Sequence, residues 1–139
     1  MIIADTGFFL ALASEDDAHH AAARDAAELL TTPLITTWPV VTETSHLLLH
    51  RVGHRALLAF IESAKAGAFQ IFELRGEHWP RIVKLMRQYA DLPMDLADAS
   101  LVVLAEAQHD GRILTTDARD FKTYRWKSRR PFTNLLDAK

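Results

Sequence analysis

The 139-residue sequence has no cysteine, which excludes disulfide bonds and thiolate metal ligands. This absence suits a reducing compartment, so we expect a cytoplasmic protein. No apolar run approaches the roughly 20 residues that cross a bilayer, and no basic residue precedes the first apolar stretch. We therefore expect neither a membrane segment nor a signal peptide. No glycine-rich phosphate loop is present, so the sequence does not support a P-loop nucleotide site.

The composition is that of an ordinary globular protein, with 49% hydrophobic and 24% charged residues. The length suits a single domain, which we expect to span residues 1–139. The net charge of −2 says little about partners, but the basic residues are unevenly distributed. One short stretch near the C-terminal end contains six of them: Arg119, Lys122, Arg125, Lys127, Arg129 and Arg130.

This basic stretch is interleaved with Tyr124 and Trp126. Basic side chains bind phosphates and aromatic rings stack on bases, so the stretch is a candidate RNA-binding segment. The candidate contacts are Lys122, Arg125, Lys127, Arg129 and Arg130. An equally good interpretation is a solvated segment that keeps the protein soluble. The sequence alone leaves both interpretations open.

Short apolar runs alternate with helical patterns along the chain. We predict strands at residues 1–4, 33–36, 68–74 and 112–115, with a fifth at 132–135. We predict a helical turn at 8–13 and helices at 17–30, 39–52, 55–66, 77–89 and 95–108. Asp16 or Asp17 is the expected N-cap of the second of these segments. The alternation predicts an α/β fold, a three-layer α/β/α sandwich with a mainly parallel sheet of four to five strands.

Two acids directly follow predicted strands, at the points where these strands end. Asp5 follows the strand at 1–4, and Asp117 comes just after the strand at 112–115. Ligands of parallel α/β sheets bind at the carboxyl ends of the strands. An aspartate in such a place also often caps the following turn or helix, and for one such residue alone that structural role is the better explanation.

The predicted helix at 95–108 contains an acid on an apolar face. This segment is apolar nearly all round, which is typical of a buried helix, and Asp98 shares a face with Leu101 and Val102. A buried carboxylate is costly unless it is paired or bound to metal, so we predict a functional role for Asp98. Asp95 is explained by the helix dipole as a first-turn acid, a role that suits Asp98 less well because it lies deeper in the helix.

Glu43 lies in the predicted helix at 39–52, at the edge of its apolar stripe. Taken alone, it is best explained as an ordinary exposed glutamate. Together with Asp5, Asp98 and Asp117, however, it completes a set of four acids from separate segments. Clustered carboxylates repel one another unless a cation neutralises them, and oxygen ligands suit Mg²⁺ or Mn²⁺. Ions held in this way activate water for phosphodiester hydrolysis, so the set predicts a metal-dependent hydrolase.

Four blocks of the sequence then show a family resemblance: IIADTGFFLAL, ITTWPVVTETSHLL, YADLPMDLADASLVVLAEA and ILTTDARDF. In this order they resemble PIN-domain proteins, and in particular the VapC-type toxin ribonucleases of bacterial toxin–antitoxin pairs. The resemblance covers essentially the whole chain, and the four blocks together are specific. It implies a parallel sheet between helices, which agrees with the pattern-based prediction.

By this resemblance, the acids that hold Mg²⁺ or Mn²⁺ are Asp5, Glu43, Asp98 and Asp117. Supporting positions follow from the same blocks: Thr6, Asp95, Thr115, Thr116 and Asp120. The threonines would orient carboxylates or water. One departure is Gly7, since many relatives have a small polar residue two positions after the first aspartate.

The resemblance also implies a reaction and partners. The reaction is hydrolysis of an RNA phosphodiester that leaves a 5′-phosphate and a 3′-hydroxyl, without a covalent enzyme intermediate. The implied partner is a small antitoxin protein that occludes the active site. The implied assembly is a homodimer.

Two other functions remain open. Glu43, His46 and His50 follow one another at helical spacing, and Glu-x-x-His is the spacing of di-iron carboxylate sites. Those sites need a four-helix bundle and a second such motif, neither of which is predicted here. The other alternative is a PIN fold that binds RNA or protein without catalysis, but loss of acids would be its signature.

Overall fold

The structure is a computed structural model that describes residues 1–137. Its strands are β1 (Ile2–Ala4), β2 (Leu34–Thr37), β3 (Phe69–Phe72), β4 (Arg112–Leu114), β5 (Arg125–Trp126), β6 (Arg130–Pro131) and β7 (Thr133–Asn134). Its helices are α1 (Thr6–Ala13), α2 (His20–Leu29), α3 (Trp38–Arg51), α4 (His54–Lys65), α5 (Trp79–Gln88), α6 (Leu96–Gln108) and α7 (Ala118–Thr123). A 3₁₀ turn, Gly76–His78, precedes α5.

Five strands form one sheet in the order β3-β2-β1-β4-β7, and every neighbouring pair is parallel. The central strand β1 pairs through Ile3 with Ile35 on one side and with Ile113 on the other. All three residues of β1 are buried, so helices cover both faces of the sheet, as a parallel sheet requires. The predicted α/β class with a mainly parallel sheet is therefore confirmed.

The hydrophobic core lies between the sheet and the helices. Its largest fully buried apolar side chains include Phe8 of α1, Leu48 of α3 and Leu101 of α6. Because α6 is apolar nearly all round, eight of its thirteen residues are buried, and the helix lies against β2 and α3. This packing fixes the first turn of α6 beside the carboxyl ends of the strands.

Several predicted boundaries are wrong. Helix α2 begins at His20 rather than at residue 17, and its N-cap, His19, makes no side-chain cap. Asp17 instead accepts a hydrogen bond from the His19 backbone N–H (2.8 Å) in the turn before the helix. Helix α7 and the antiparallel hairpin β5–β6, which the sequence patterns did not predict, lie between β4 and β7. The single domain over 1–139 stays a prediction, since residues 138–139 lie outside those described.

No helix within residues 1–137 is long and apolar enough to span a bilayer.

Candidate active site

Asp5 lies where the central strand ends and α1 begins. Only 6% of its surface is exposed, and it is the N-cap residue of α1. One carboxylate oxygen, Oδ1, accepts the Thr6 backbone N–H (2.8 Å), and the other, Oδ2, accepts the Thr115 hydroxyl (2.7 Å). Both oxygens of this carboxylate are thus held in fixed directions. The alternative role as a helix cap is real, and it occurs together with a contact that capping does not require.

Thr115 connects Asp5 to Asp117. Its hydroxyl donates to Asp5 and accepts the backbone N–H of Asp117 (3.0 Å). The backbone of Thr115 is held in turn by Asn134 of β7, whose side-chain amide donates to the Thr115 carbonyl (3.0 Å). The Asp117 carboxylate caps α7 by accepting the Asp120 backbone N–H (3.2 Å). The two strand-end acids are therefore linked through one buried hydroxyl.

Asp98 lies in the first turn of α6, not deeper in the helix as we predicted. Asp95 is the N-cap and accepts the Asp98 backbone N–H (2.9 Å), while the Asp98 carboxylate faces the Asp95 backbone N–H (3.4 Å) in a capping box. The prediction was wrong because the helical pattern does not mark where the first turn begins. Asp98 is half-buried at this helix end, and its Oδ2 accepts the Tyr124 hydroxyl (3.0 Å).

Tyr124 was missed by sequence reasoning. Its ring is fully buried and makes edge-on contacts with Tyr89 and Phe121, at centroid distances of 5.0 Å each. Burial and the neighbouring Asp98 carboxylate raise the pKa of this phenol, so it keeps its proton at all ordinary pH values and donates a hydrogen bond to Asp98. The one signal in the sequence was a tyrosine within the basic stretch, which we interpreted as a stacking residue.

Glu43 is half-buried on α3 and lines an open crevice whose opposite side includes Asp95. Its negative charge raises the pKa of Asp5, so the two carboxylates are close enough to repel each other. Helix α3 brings Glu43 to this place because it begins directly at the end of β2, beside β1. All four predicted acids therefore lie around the carboxyl ends of β1, β2 and β4, with Asp98 joining from α6.

Burial and like charge act together on these acids. Burial, together with the negative charges of Glu43 and Asp117, raises the pKa of Asp5 from 3.8 to about 6, although hydrogen bonds from Thr115 and Thr6 oppose this shift. Burial, then the charges of Asp95 and Asp5, also raises the pKa of Asp98. Such shifts are typical of sites where function maintains charge that folding alone disfavours.

The pKa of Asp117 is raised as well, chiefly by burial. The backbone N–H of Asp120 opposes this shift, and the Asp120 carboxylate adds to it. The predicted supporting residue Asp120 therefore contacts Asp117 directly.

The chemical types of the oxygen donors in this site are those that bind a hydrated divalent cation. The Thr6 hydroxyl is buried beside Asp5 and has no hydrogen-bond partner within residues 1–137, and the same holds for Thr44 beside Glu43. Carboxylates and hydroxyls are the donors that Mg²⁺ and its hydration shell prefer. Within the same residues, however, no three acidic or imidazole side chains are arranged to share one ion. The residues of the site therefore suit a divalent cation in donor type and in charge, but their side chains are not arranged around a shared ion.

Gly7 and Thr116 complement each other. A Cβ atom on residue 7 would overlap the Thr116 hydroxyl, so that hydroxyl fills the space a side chain at position 7 would occupy. The departure from the family pattern at Gly7 therefore has a steric counterpart in Thr116.

The basic stretch forms helix α7 and the hairpin. Lys122, Lys127 and Arg129 are exposed, and the Arg130 guanidinium lies 5.3 Å from the centre of the Trp126 ring. Arg125 differs, because its guanidinium donates to three backbone carbonyls near the end of α7. The hairpin begins directly after Tyr124, so the basic residues continue from the acidic site.

His46 and His50 contact each other on α3, with ring centroids 4.3 Å apart, and both are exposed. The parallel sheet is not the four-helix bundle that a di-iron site needs. These histidines are therefore surface residues near the edge of the site.

The four acids lie at the carboxyl ends of a parallel sheet, which is where α/β proteins bind their ligands. The PIN domain family model matches residues 2–127, so the chain belongs to the PIN domain family. It is 30% identical over 124 residues to Ribonuclease VapC26 of Mycobacterium tuberculosis, covering 89% of this chain and 92% of that protein. The predicted resemblance to VapC-type PIN proteins is confirmed.

The crystal structure of VapC20 from Mycobacterium tuberculosis, a sarcin–ricin loop cleaving toxin, is similar with a TM-score of 0.79. The alignment covers 86% of this chain and 92% of that chain at 20% identity, so it supports the fold alone.

Proposed function

We propose that this protein is a divalent-metal-dependent endoribonuclease and the toxin component of a VapBC-type toxin–antitoxin pair. The observation that carries the proposal is Asp5, a buried carboxylate whose pKa is raised by burial and by the like charges of Glu43 and Asp117. A fold seldom keeps so costly a group unless its chemistry is used. PIN-family membership and a relative named as a ribonuclease support a nuclease.

The proposed metal is Mg²⁺, with Mn²⁺ as a substitute, held by Asp5, Glu43, Asp98 and Asp117. When bound, such an ion activates water and neutralises charge on the phosphate. Asp98 and Asp117 currently cap helices, so side-chain rotation of at least one of them accompanies shared coordination. Relief of carboxylate repulsion favours that rotation.

The protein's own groups then orient the site. Thr6 and Thr115 hold both oxygens of Asp5, and the Tyr124 hydroxyl holds Asp98. In our proposal Asp95, Thr116 and Asp120 help to orient these carboxylates without binding the metal themselves. Misplacing a reacting group by about 1 Å can cost about a hundredfold in rate, so groups that fix the direction of a ligand contribute to rate.

The proposed reaction is hydrolysis of a phosphodiester within an RNA strand. A water oxygen bonds to phosphorus, and the bond from phosphorus to the 3′ oxygen breaks. That oxygen takes up a proton, which leaves a 3′-hydroxyl on one product and a 5′-phosphate on the other.

We assign RNA backbone contacts to the exposed part of the basic stretch. Lys122, Lys127, Arg129 and Arg130 lie on α7 and the hairpin, which follow Tyr124 in the chain. Arg125 was predicted as a fifth contact. Its guanidinium is already used within the protein, so we propose that it shapes the hairpin instead.

The partners follow from the same assignment. We propose a small antitoxin protein that occludes the acidic crevice, a homodimer as the assembled form, and a cytoplasmic location. The VapC-type relatives support these partners in general terms.

The test is cleavage of a structured RNA by the purified protein, with Mg²⁺ or with EDTA. We expect cleavage only with Mg²⁺, 5′-phosphate product ends, and no cleavage by Asp98→Asn. Asp25→Asn, which neutralises an exposed acid on α2, is the matched control and should cleave at the wild-type rate. Cleavage in EDTA, or wild-type cleavage by Asp98→Asn, would contradict the proposal.

The same pair of variants tests the toxin role. Expressed alone in bacteria, the wild-type protein should arrest growth and Asp98→Asn should not. RNA binding without cleavage by the wild type would instead favour the non-catalytic binding module.

A further inference from the structure

The open crevice beside Glu43 has a volume of about 770 Å³. Four of its eight lining residues are apolar and come from two elements: Trp38 and Pro39 at the start of α3, and Leu96 and Ala97 at the start of α6. Glu43 also lines it, so the crevice is continuous with the carboxylate site. Its volume lies in the range of about 300–1,000 Å³ that is typical of small-molecule sites.

Trp38 is the largest apolar side chain of this crevice, and it is 54% exposed. The chain offers a close comparison in Trp79, which is 58% exposed. Each tryptophan is the first residue of a helix and is followed by a proline. Trp79 begins α5 and does not line this crevice. Both tryptophans therefore begin a helix with a similar exposure, but only Trp38 lines the crevice beside Glu43.

We propose that this crevice is the subsite for one unpaired nucleobase of the RNA, which stacks on the Trp38 indole. The proposal rests on the nuclease function proposed above, since a strand whose phosphate lies at the carboxylates carries its neighbouring base to the crevice.

The chemistry of the lining favours a base over the other parts of a nucleotide. Asp95, which is not one of the proposed metal ligands, places negative charge at the edge of the crevice, and this charge repels a phosphate. A base is flat and neutral, and its face stacks on an indole whatever its identity. Thr42 and His46 also line the crevice and offer polar groups to the edge of a base.

This occupant determines the class of substrate. A base inside a duplex is stacked on its neighbours and paired, so its face is not available to Trp38. The subsite therefore selects single-stranded RNA, loops and bulges over continuous double helix.

The experiment measures binding of a single-stranded RNA oligonucleotide in Mg²⁺, in the Asp98→Asn background, for which no cleavage is expected. Trp38→Ala should weaken binding by about fivefold or more, the loss expected for one stacked base. Trp38→Phe keeps an aromatic face, so its affinity for the RNA should lie between those of the parent protein and Trp38→Ala. Trp79→Ala should bind like the parent protein. In the active protein, Trp38→Ala should raise KM and leave kcat nearly unchanged.

The subsite would be overturned if Trp38→Ala bound RNA as tightly as its parent, or if Trp79→Ala caused an equal loss. Equally tight, Trp38-dependent binding of a duplex would also overturn it. A change in sedimentation of Trp38→Ala, without a change in RNA affinity, would assign the crevice to a protein interface and also overturn it. If the wild type cleaves RNA and Trp38→Ala binds and cleaves equally well, the subsite proposal fails and the nuclease proposal stands. If RNA binding depends on Trp38 but the wild type cleaves no RNA, the subsite proposal is supported and the nuclease proposal fails.

Discussion

At the carboxyl end of the sheet, Asp5 is buried and both its oxygens accept hydrogen bonds, whereas the basic side chains of hairpin β5–β6 lie largely in solvent. The hairpin backbone is nevertheless fixed. Trp126 is buried, and Glu106, which pairs with Arg81 (2.8 Å), accepts the Lys127 backbone N–H (2.6 Å). One region thus holds its charges rigidly in the interior, whereas the other fixes its backbone and keeps most of its basic side chains at the surface.

This difference implies different roles for the charged residues of the two regions. Buried charge is costly, so its position is determined by specific hydrogen bonds and its removal changes both stability and chemistry. Exposed charge is screened by water and salt, so its removal changes long-range attraction and little else. The predictions below test this division, from the largest expected effect to the smallest.

The largest effect concerns Asp5→Asn in metal-free protein. The folded protein keeps the Asp5 proton up to about pH 6, whereas an unfolded chain releases it near pH 4. The free energy of unfolding of the wild type, relative to the variant, should therefore fall by roughly 3 kcal/mol as the pH rises from 4 to above 6. Urea unfolding in EDTA across this range measures the difference.

Asparagine keeps the helix cap, so Asp5→Asn should fold and should not cleave RNA. Adding Mg²⁺ at pH 7 should stabilise the wild type more than the variant. A wild-type protein that gains stability relative to Asp5→Asn as the pH rises would show that burial does not disfavour this carboxylate.

The second effect concerns the basic region. Replacing Lys122, Lys127 and Arg129 by serine, in the Asp98→Asn background, should reduce the slope of log affinity for RNA against log salt by up to about two. This is roughly 0.7 for each single-strand phosphate contact. Folding stability should hardly change, because these side chains are exposed.

The matched control replaces Lys65, Lys84 and Arg87, which are exposed on α4 and α5, and removes the same charge. An unchanged slope for the hairpin variant, or an equal change for the control, would assign the basic stretch to solvent or to a protein partner.

The smallest effect lies where the two regions meet, at Tyr124→Phe. Loss of the hydroxyl removes one hydrogen bond to Asp98, worth about 1 kcal/mol, so cleavage should fall about fivefold. The pKa of Asp98 should rise further, because the hydrogen bond lowers it, and the pH–rate profile should move to higher pH.

Tyr89→Phe is the control for this prediction. Its hydroxyl accepts the Arg125 backbone N–H (3.1 Å) in the same aromatic cluster and does not contact Asp98. An identical pH–rate profile for Tyr124→Phe and wild type would show that the Tyr124 hydroxyl has no role in the reaction.

Local pattern was sufficient for much of this protein. The apolar runs 1–4 and 112–115 predicted two neighbouring strands, and Asp5 and Asp117 followed from where those runs end. Hairpin β5–β6 escaped prediction because Lys127 and Ser128 adopt left-handed backbone (φ 49° and 66°) without the glycine or asparagine that marks such turns. The start of α6 was placed one residue early, because Asp95 was interpreted as a first-turn acid and is instead the N-cap.

The sequence by itself determined the alternation of strands and helices, the acids at the strand ends and the family, since each depends on residues close together in the chain. Only the tertiary structure decided that the Thr115 hydroxyl holds Asp5, that Tyr124 donates to Asp98, and that Trp38 faces the start of α6 across a crevice. These contacts join segments up to 110 positions apart. No local period encodes them, because they arise when the packed core brings strand and helix ends to one edge of the sheet.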